Sequence, residues 1–403
     1  MKTLRFLHTA DLHLDGDPKK KAKADLSLNQ ILEYCQNIKV NAVIVAGDVF
    51  DKKQSYSRNS AVPIALNFFH KLSRLVDFVF ITAGNQSHDE TGSIELLHQI
   101  ESNVYSYEYP VVLHVDSKYG VRDLLRSDYN KKSLKENLDY IVTLVPYPTK
   151  ASLLIEDSID NNNANFLDKF EQVFEHIGNV TLNYNCPKIL AFHGNVVGSR
   201  LSTGQTLVSQ DIMVAPSTLE RALHDYYALG HIHLLQEITP SMFYSGSIYN
   251  KSWGETEQKS FIVIEYEGIG TQHTKVDIRP ILLESARPMI TLDAVFENGD
   301  LMTEAGILFF YDVQNEEYRI RVKVLENERN LITEATMEKI KDHFGSDTKI
   351  EINVVPIERE SRSEQIMHCK TLLDEVKEYA TVINESINGT VEKKVNELQE
   401  VGL

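Results

Sequence analysis

The run Val43-Ile44-Val45-Ala46 stops at Gly47-Asp48, and this stretch limits the fold more than any other in the chain. An apolar run of this length and β-branched content reads as a buried strand. A carboxylate directly after it lies where open α/β sheets place ligands and metals, at the carboxyl ends of the strands. One Gly-Asp after a strand is common. The weight comes from its repetition.

Leu4–Ala10 reads as a strand and runs into Asp11-Leu12-His13. Phe78–Thr82 leads into Ala83-Gly84-Asn85-Gln86-Ser87-His88-Asp89, Lys188–Phe192 into His193-Gly194, and Tyr226–Gly230 into His231-Ile232-His233. Asp-x-His and His-x-His put two side chains on one side of an extended backbone. An Asn amide oxygen can ligate a metal, and a neighbouring His can give a proton to a phosphate oxygen. Singly, each segment also reads as an ordinary polar loop. Five loops independent of one another would not all put metal-type residues straight after an apolar strand. The set holds one carboxylate suited to bridging, and nitrogen and oxygen ligands enough for two ions, the inventory of a two-metal phosphoesterase.

Helical spacing marks Ser27–Ile38, with Asp25 or Ser27 as cap, and Asn59–Leu75. The opening is thus βαβ, with a parallel pair and a right-handed crossover. The short basic run Lys19–Lys23 reads as a solvated loop, with phosphate contact as the alternative. Strands at Val111–His114 and Ile141–Val145, a polar loop at Asp157–Asn165 and a helix at Asn165–Ile177 continue the α/β pattern. His8, His70, His98 and His114 fall outside the pattern and read as structural or surface residues.

A chain of 403 residues, 42% hydrophobic and 25% charged, is a globular protein of two or three domains. It has no apolar run of membrane-spanning length and no signal-peptide core, so no membrane role is expected. Cys35, Cys186 and Cys369 are isolated, which fits a reducing, cytoplasmic setting without disulfides or a zinc finger. The net charge of −17 argues against DNA binding through a broad basic surface. It does not exclude a nuclease, because bound divalent cations offset clustered carboxylates.

The motif order Asp-x-His, Gly-Asp, Gly-Asn…His-Asp, His, Gly-His-x-His resembles the calcineurin-like metallophosphoesterase superfamily. Within it the chain looks most like the SbcD-type nuclease subunits of bacteria. The supporting residues are Thr9–Leu14, Ala46–Asp51, and Tyr244-Ser245-Gly246-Ser247 followed by Trp253-Gly254-Glu255. They cover roughly the first 280 residues. The resemblance implies a two-sheet α/β sandwich core (residues 1–280), a small α+β capping and DNA-binding domain (281–357), and a linker with a helical tail (358–403). One metal would take Asp11, His13, Asp48 and His233; the other would take Asp48, Asn85, His193 and His231, with Asp48 bridging. His88 would protonate the leaving oxygen or stabilise the phosphorane. The ions would be Mn²⁺, with Mg²⁺ as the alternative.

The implied activity is 3′–5′ exonuclease on duplex DNA and endonuclease on single strands, in a repair and recombination complex with an SbcC-like ATPase of the SMC type. A homodimer is also implied, for which Asn59–Leu75 is one candidate interface. A small-nucleotide phosphodiesterase or phosphatase, and a scaffold subunit with a degraded site, stand as alternatives. The chain departs from the family's Gly-Asn-His-Asp by two extra residues, so either Asn85 keeps the ligand position or Ser87 takes the place beside the histidine.

In the C-terminal third, Met289–Val295, Tyr318–Val324 and Lys349–Val355 read as strands and Thr333–Phe344 as a helix. Arg319, Arg321 and Lys323 share one strand face, as a phosphate-contacting row or a solvated one. Ser361–Ile387 reads as an amphipathic helix after a polar linker. Asn388-Gly389 breaks it, and Val391, Val395 and Leu398 begin another. By resemblance these helices dock on the ATPase.

Overall fold

The computed structural model describes residues 3–54, 57, 60–116, 120–125, 139–148, 163–202, 205, 212–269, 275–297, 299–356 and 366–400. The expected linker Glu358–Ser363 and the start of the expected loop at Asp157 lie outside these residues. Two compact units are present, Met1–Thr291 with Asp312–Arg319, and Leu292–Tyr311 with Ile320–Leu403.

In the first unit, β1 (Thr3–Thr9), α1 (Pro18–Asn37), β2 (Ala42–Ala46), α2 (Ala61–Ser73), β3 (Phe78–Thr82) and β4 (Val104–Tyr107) build half of a sandwich. The other half comprises β5 (Val111–Asp116), β6 (Gly120–Asp123), β7 (Tyr140–Val145), α3 (Asn163–Thr181) and β8 (Lys188–His193). To these it adds the two-residue pair β9 (Asn195–Val196) and β10 (Met213–Val214), then α4 (Pro216–Glu220), β11 (Tyr226–Gly230), β12 (Gln236–Thr239) and β13 (Met242–Tyr244). The hairpin of β14 (Ser260–Glu267) and β15 (Lys275–Leu282) returns to the first sheet, whose order is β15-β14-β1-β2-β3-β4. Strands β1 to β4 run parallel there. The second sheet has the order β12-β13-β11-β8-β7-β5-β6, with β7, β8, β11 and β13 parallel.

Side chains alternate across each strand. In β2, Ala42, Ile44 and Ala46 face the second sheet, while Val43 and Val45 face the helices. Both faces are covered, which is why the strands carry unbroken apolar runs. The inter-sheet layer tapers. At the amino ends of the parallel strands Phe6 meets Tyr140 and Tyr266 edge to face, with ring centroids 4.9 and 5.7 Å apart. At their carboxyl ends the layer thins to Ala10, Ala46, Gly47 and Gly230. A Cβ on Gly230 would sit 1.8 Å from the Ala46 carbonyl oxygen of the opposite sheet.

Polar ties cross this layer. His8 accepts from the Tyr226 hydroxyl at 3.0 Å and donates to the Leu229 carbonyl at 3.1 Å. Burial drives its pKa down to about 3, against the opposing bond to Leu229. The native ring therefore stays neutral, whereas the unfolded chain takes up a proton below about pH 6.5. Stability from this source is full above that pH and falls as pH drops toward 3, by about 1.4 kcal/mol per pH unit. Urea unfolding of the metal-stripped protein between pH 6 and 4 checks this: His8→Gln lowers the slope of stability against pH by about that amount, and an unchanged slope would refute it.

Two local readings are corrected. Lys19–Lys23 is not a loop but the first turns of α1. Asp17 caps the helix by accepting from Lys19 and Lys20, Pro18 occupies the first turn, and Asp25 and Ser27 lie within the helix. The tail helix is also shorter. It is α6 (Leu372–Val382), capped by Thr371, and a left-handed Asn384 (φ 58°) follows it. Gly389 opens α7 (Gly389–Glu400), where the Asn388 side chain accepts from Thr390 and Val391.

The second unit is built on a five-stranded sheet of order β18-β17-β16-β19-β20, from β16 (Met289–Glu297), β17 (Asp300–Thr303), β18 (Gly306–Ile307), β19 (Glu317–Leu325) and β20 (Lys349–Val355). The helix α5 (Glu334–Phe344) lies between β19 and β20 in sequence, with Thr333 in a capping box. Arg319, Arg321 and Lys323 do share a strand face, and Arg321 pairs there with Asp293 at 2.9 Å.

Candidate metal centre

All five strand ends meet at the thin end of the sandwich. Strands β1, β2 and β3 deliver Asp11, His13, Asp48, Asn85 and His88 from one sheet. Strands β8 and β11 deliver His193, His231 and His233 from the other. Main-chain bonds lock the loops together: Asp11 N–H to Gly47 O and His13 N–H to Asp48 O, both at 3.0 Å. The sheets are tied as well. The His231 N–H donates to the Asp11 carboxylate at 3.0 Å, and His193 Nδ1 donates to Ala46 O at 2.7 Å.

The expected extended backbone is not what turns these side chains. Asp11, His13, Asp48 and His231 hold φ of 52°, 44°, 51° and 100°, in a region that non-glycine residues rarely adopt. Such strain persists only where the surroundings over-determine it, and it gathers at functional sites.

Among the described residues three groups of ligand-type atoms result, and two of them, Asp11/His13/His233 and Asp48/His193/His231, draw on both sheets. The carboxylate of Asp48 is divided between them. Its Oδ1 lies 3.3 Å from His193 Nε2, and its Oδ2 lies 3.8 Å from His13 Nε2. Its Oδ1 also accepts from the Asn85 N–H at 2.8 Å. The lengthened loop turns back on Asn85 O, which accepts from His88 N–H and Asp89 N–H. The Asn85 amide therefore lies 3.4 Å from His231 Nδ1, and Ser87 is exposed. His88 donates from Nδ1 to Asp51 O at 2.6 Å, leaving Nε2 toward Asp48 Oδ2 at 3.9 Å.

These atoms fit bound cations. His193 gives its Nδ1 proton to a carbonyl, so in the neutral ring an Nε2 lone pair faces a carboxylate oxygen. His13 and His233 set their Nε2 atoms 3.0 Å apart. Asn85 Oδ1 and His193 Nε2 are buried with no hydrogen-bond partner among the described residues. Electrostatics agree. Burial works against charge on His193, but Asp48 beside it outweighs this and lifts the ring to about 9. Burial works against charge on Asp48 too, and the imidazoles of His193, His88 and His231 hold it well below the usual carboxylate range. Burial lifts the Asp11 carboxyl.

Three carboxylates to which the motifs give no role also belong here. Asp89 accepts from the N–H groups of Gly84 (2.7 Å), Phe50 (3.1 Å) and Val49 (3.3 Å), tying the loops that carry Asp48 and Asn85. Burial and the nearby Asp48 raise it to about 7. Asp51 stands by His13, and Glu255 by His233. All three sit inside or beside the recognised motifs, but their partners lie too far off in sequence to be read. Asp51 also groups with His13 and His88, and its carboxylate pairs with Lys20 and Lys251. His8 and His114 are buried away from both ligand groups.

The family model for calcineurin-like phosphoesterases matches residues 4–235, more than half of the chain. The SbcD component of the SbcCD nuclease from Escherichia coli strain K12 is 25% identical over 266 residues, and so is that of strain O157:H7. In both cases the match spans 64% of this chain and 64% of the relative, just under two thirds of its length. A solved archaeal phosphodiesterase covers 69% of this chain and 99% of its own at 11% identity, with a TM-score of 0.30, too low to bear on function. No helix among the described residues is long and apolar enough to cross a membrane. The match to residues 4–235 settles the family, whose members are hydrolases of phosphoester bonds that bind two divalent metals: this chain belongs to the calcineurin-like phosphoesterases.

Proposed function

We propose that the chain is a two-metal DNA nuclease, the nuclease component of an SbcCD-like repair and recombination complex. It acts 3′–5′ on duplex ends and endonucleolytically on single strands. The observation that carries the two-metal part is the division of the Asp48 carboxylate between the two ligand groups. The substrate part rests on the similarity to the SbcD components of the SbcCD nuclease. Asp48 would be shared by both ions, with Asp11, His13 and His233 holding one and Asn85, His193 and His231 the other. When bound, divalent ions, Mn²⁺ or Mg²⁺, would supply an activated water nucleophile and offset charge on the phosphoryl oxygens. His88, its Nδ1 proton held by the Asp51 carbonyl, offers Nε2 to the leaving oxygen. In this reading residues 281–357 serve DNA binding, and the protein works in the cytoplasm as a homodimer, with Leu66 on the outer side of α2.

Mn²⁺-dependent degradation of end-labelled duplex and of circular single strands tests this. Cleavage of a small phosphodiester with both DNAs intact would move the assignment to a nucleotide phosphodiesterase, which the charge of −17 favours. Two bound ions with no cleavage at all would make the chain a scaffold.

The tail is the ATPase-docking segment in this reading. Tyr379, Val382 and Ile383 of the α6 region, and Val391 and Leu398 of α7, are at least 39% exposed. Truncation before Ile366 is expected to abolish co-purification with an SbcC-like SMC ATPase while leaving small-diester hydrolysis within about twofold. Unchanged co-purification would sink the assignment.

A further inference from the structure

We propose that the two metal positions are unequal in strength, and that Asp51 and Glu255 set the difference as positioning residues. This rests on the two-metal reading above.

His13 and His233 present Nε2 to each other at 3.0 Å, so their Nδ1 atoms point away from the shared centre. His13 Nδ1 has Asp51 Oδ1 at 3.5 Å, and His233 Nδ1 has Glu255 Oε1 at 3.8 Å. Both Nδ1 atoms are buried and make no hydrogen bond among the described residues. Each carboxylate is anchored independently of the histidine it faces. Asp51 is held by Lys20 at 2.6 Å and Lys251 at 2.8 Å. Glu255, only 1% exposed, takes the equally buried Lys259 ammonium at 2.7 Å and the Ser252 hydroxyl at 3.0 Å. Lys259 reaches the His233 carbonyl as well, at 3.3 Å.

The other position is backed differently. His193 Nδ1 has a neutral carbonyl, Ala46 O, at 2.7 Å, and His231 Nδ1 faces the Asn85 amide at 3.4 Å.

An imidazole that ligates through Nε2 carries its proton on Nδ1. An anion behind that N–H fixes the ring and makes Nε2 a stronger donor, and losing such a partner weakens metal affinity about 10- to 100-fold. An ion at Asp11/His13/His233 therefore has two carboxylate-backed imidazoles and a carboxylate. An ion at Asp48/His193/His231 has a carboxylate as well, but its His193 imidazole is backed by a carbonyl. The first position fills first and holds its ion; the second fills later and exchanges. Asp51 and Glu255 would touch neither ion nor substrate.

Mn²⁺ titration of the chelator-stripped full chain, by calorimetry and by the spin-resonance signal of free Mn²⁺, tests this. The expected result is two steps at least tenfold apart. Asp51→Asn and Glu255→Gln should each weaken the tighter step about 10- to 100-fold and leave the weaker within about threefold. The two changes lie on separate segments, so one remains informative if circular dichroism shows the other unfolded. A merely structural role would weaken both steps together. Two indistinguishable steps in the parent protein, or variants that move both steps or neither, overturn the proposal with two ions still bound. Fewer than two ions in the parent protein instead removes the two-metal reading and the proposal with it.

Discussion

Replacing Asp48 by alanine is expected to cost both ions and at least a thousandfold in kcat/KM, about 4 kcal/mol of transition-state stabilisation. Its two oxygens face different ligand groups, so no neighbour can substitute for it. Loss of the buried carboxylate also leaves the Asn85 N–H without its acceptor. His88→Gln should behave in the opposite way with respect to metal. His88 ends beside the two groups that Asp48 joins rather than in them, with its Nδ1 committed to the Asp51 carbonyl. Turnover should fall about 10²- to 10⁴-fold while ion binding stays within a few-fold. Measuring ion stoichiometry on both variants separates the roles. Two ions on the Asp48→Ala protein, or lost ions on His88→Gln, would reverse the assignment.

Gly84→Ala should be nearly as damaging without touching a single charge. A Cβ there would lie 2.0 Å from Asp48 Oδ1 and 2.3 Å from Asp48 N. The side chain could rotate away, but the main-chain nitrogen is pinned by the locked loops. We expect ion affinity to collapse, and a loss of about 1–3 kcal/mol of stability from overpacking. Gly92→Ala is the control: its Cβ would meet nothing within 4 Å, and only its φ of +86° opposes the change. It should cost about 1 kcal/mol and leave ion binding intact. Equal ion affinity in the two variants would refute the steric argument.

The legible parts of this protein are those in which sequence neighbours do the work. Strands covered on both faces announce themselves as runs such as Val43–Ala46, and the side chains just beyond them can be named because strand ends are where such sheets carry chemistry. Contacts between distant segments are not legible. Asp89 takes its place through the N–H groups of Val49 and Phe50, about forty residues away. Glu255 does so through a histidine on another strand end. The left-handed turns at Asp11, His13 and Asp48 have no composition signal, because nothing about Asp or His demands a positive φ. The start of α1 does carry a signal, since Asp17-Pro18 is a cap followed by a first-turn proline. The lysines that follow mask it, because a dense run of like charge has the look of a solvated loop.

The tapering layer between the sheets explains why aspartate, not glutamate, serves at Asp11 and Asp48. Where opposing backbones come close enough for a carbonyl to crowd a glycine, a one-carbon arm already spans the gap. A longer acid would overshoot and collide with the facing strand. Geometry thus prescribes the reach of each arm before any question of affinity arises.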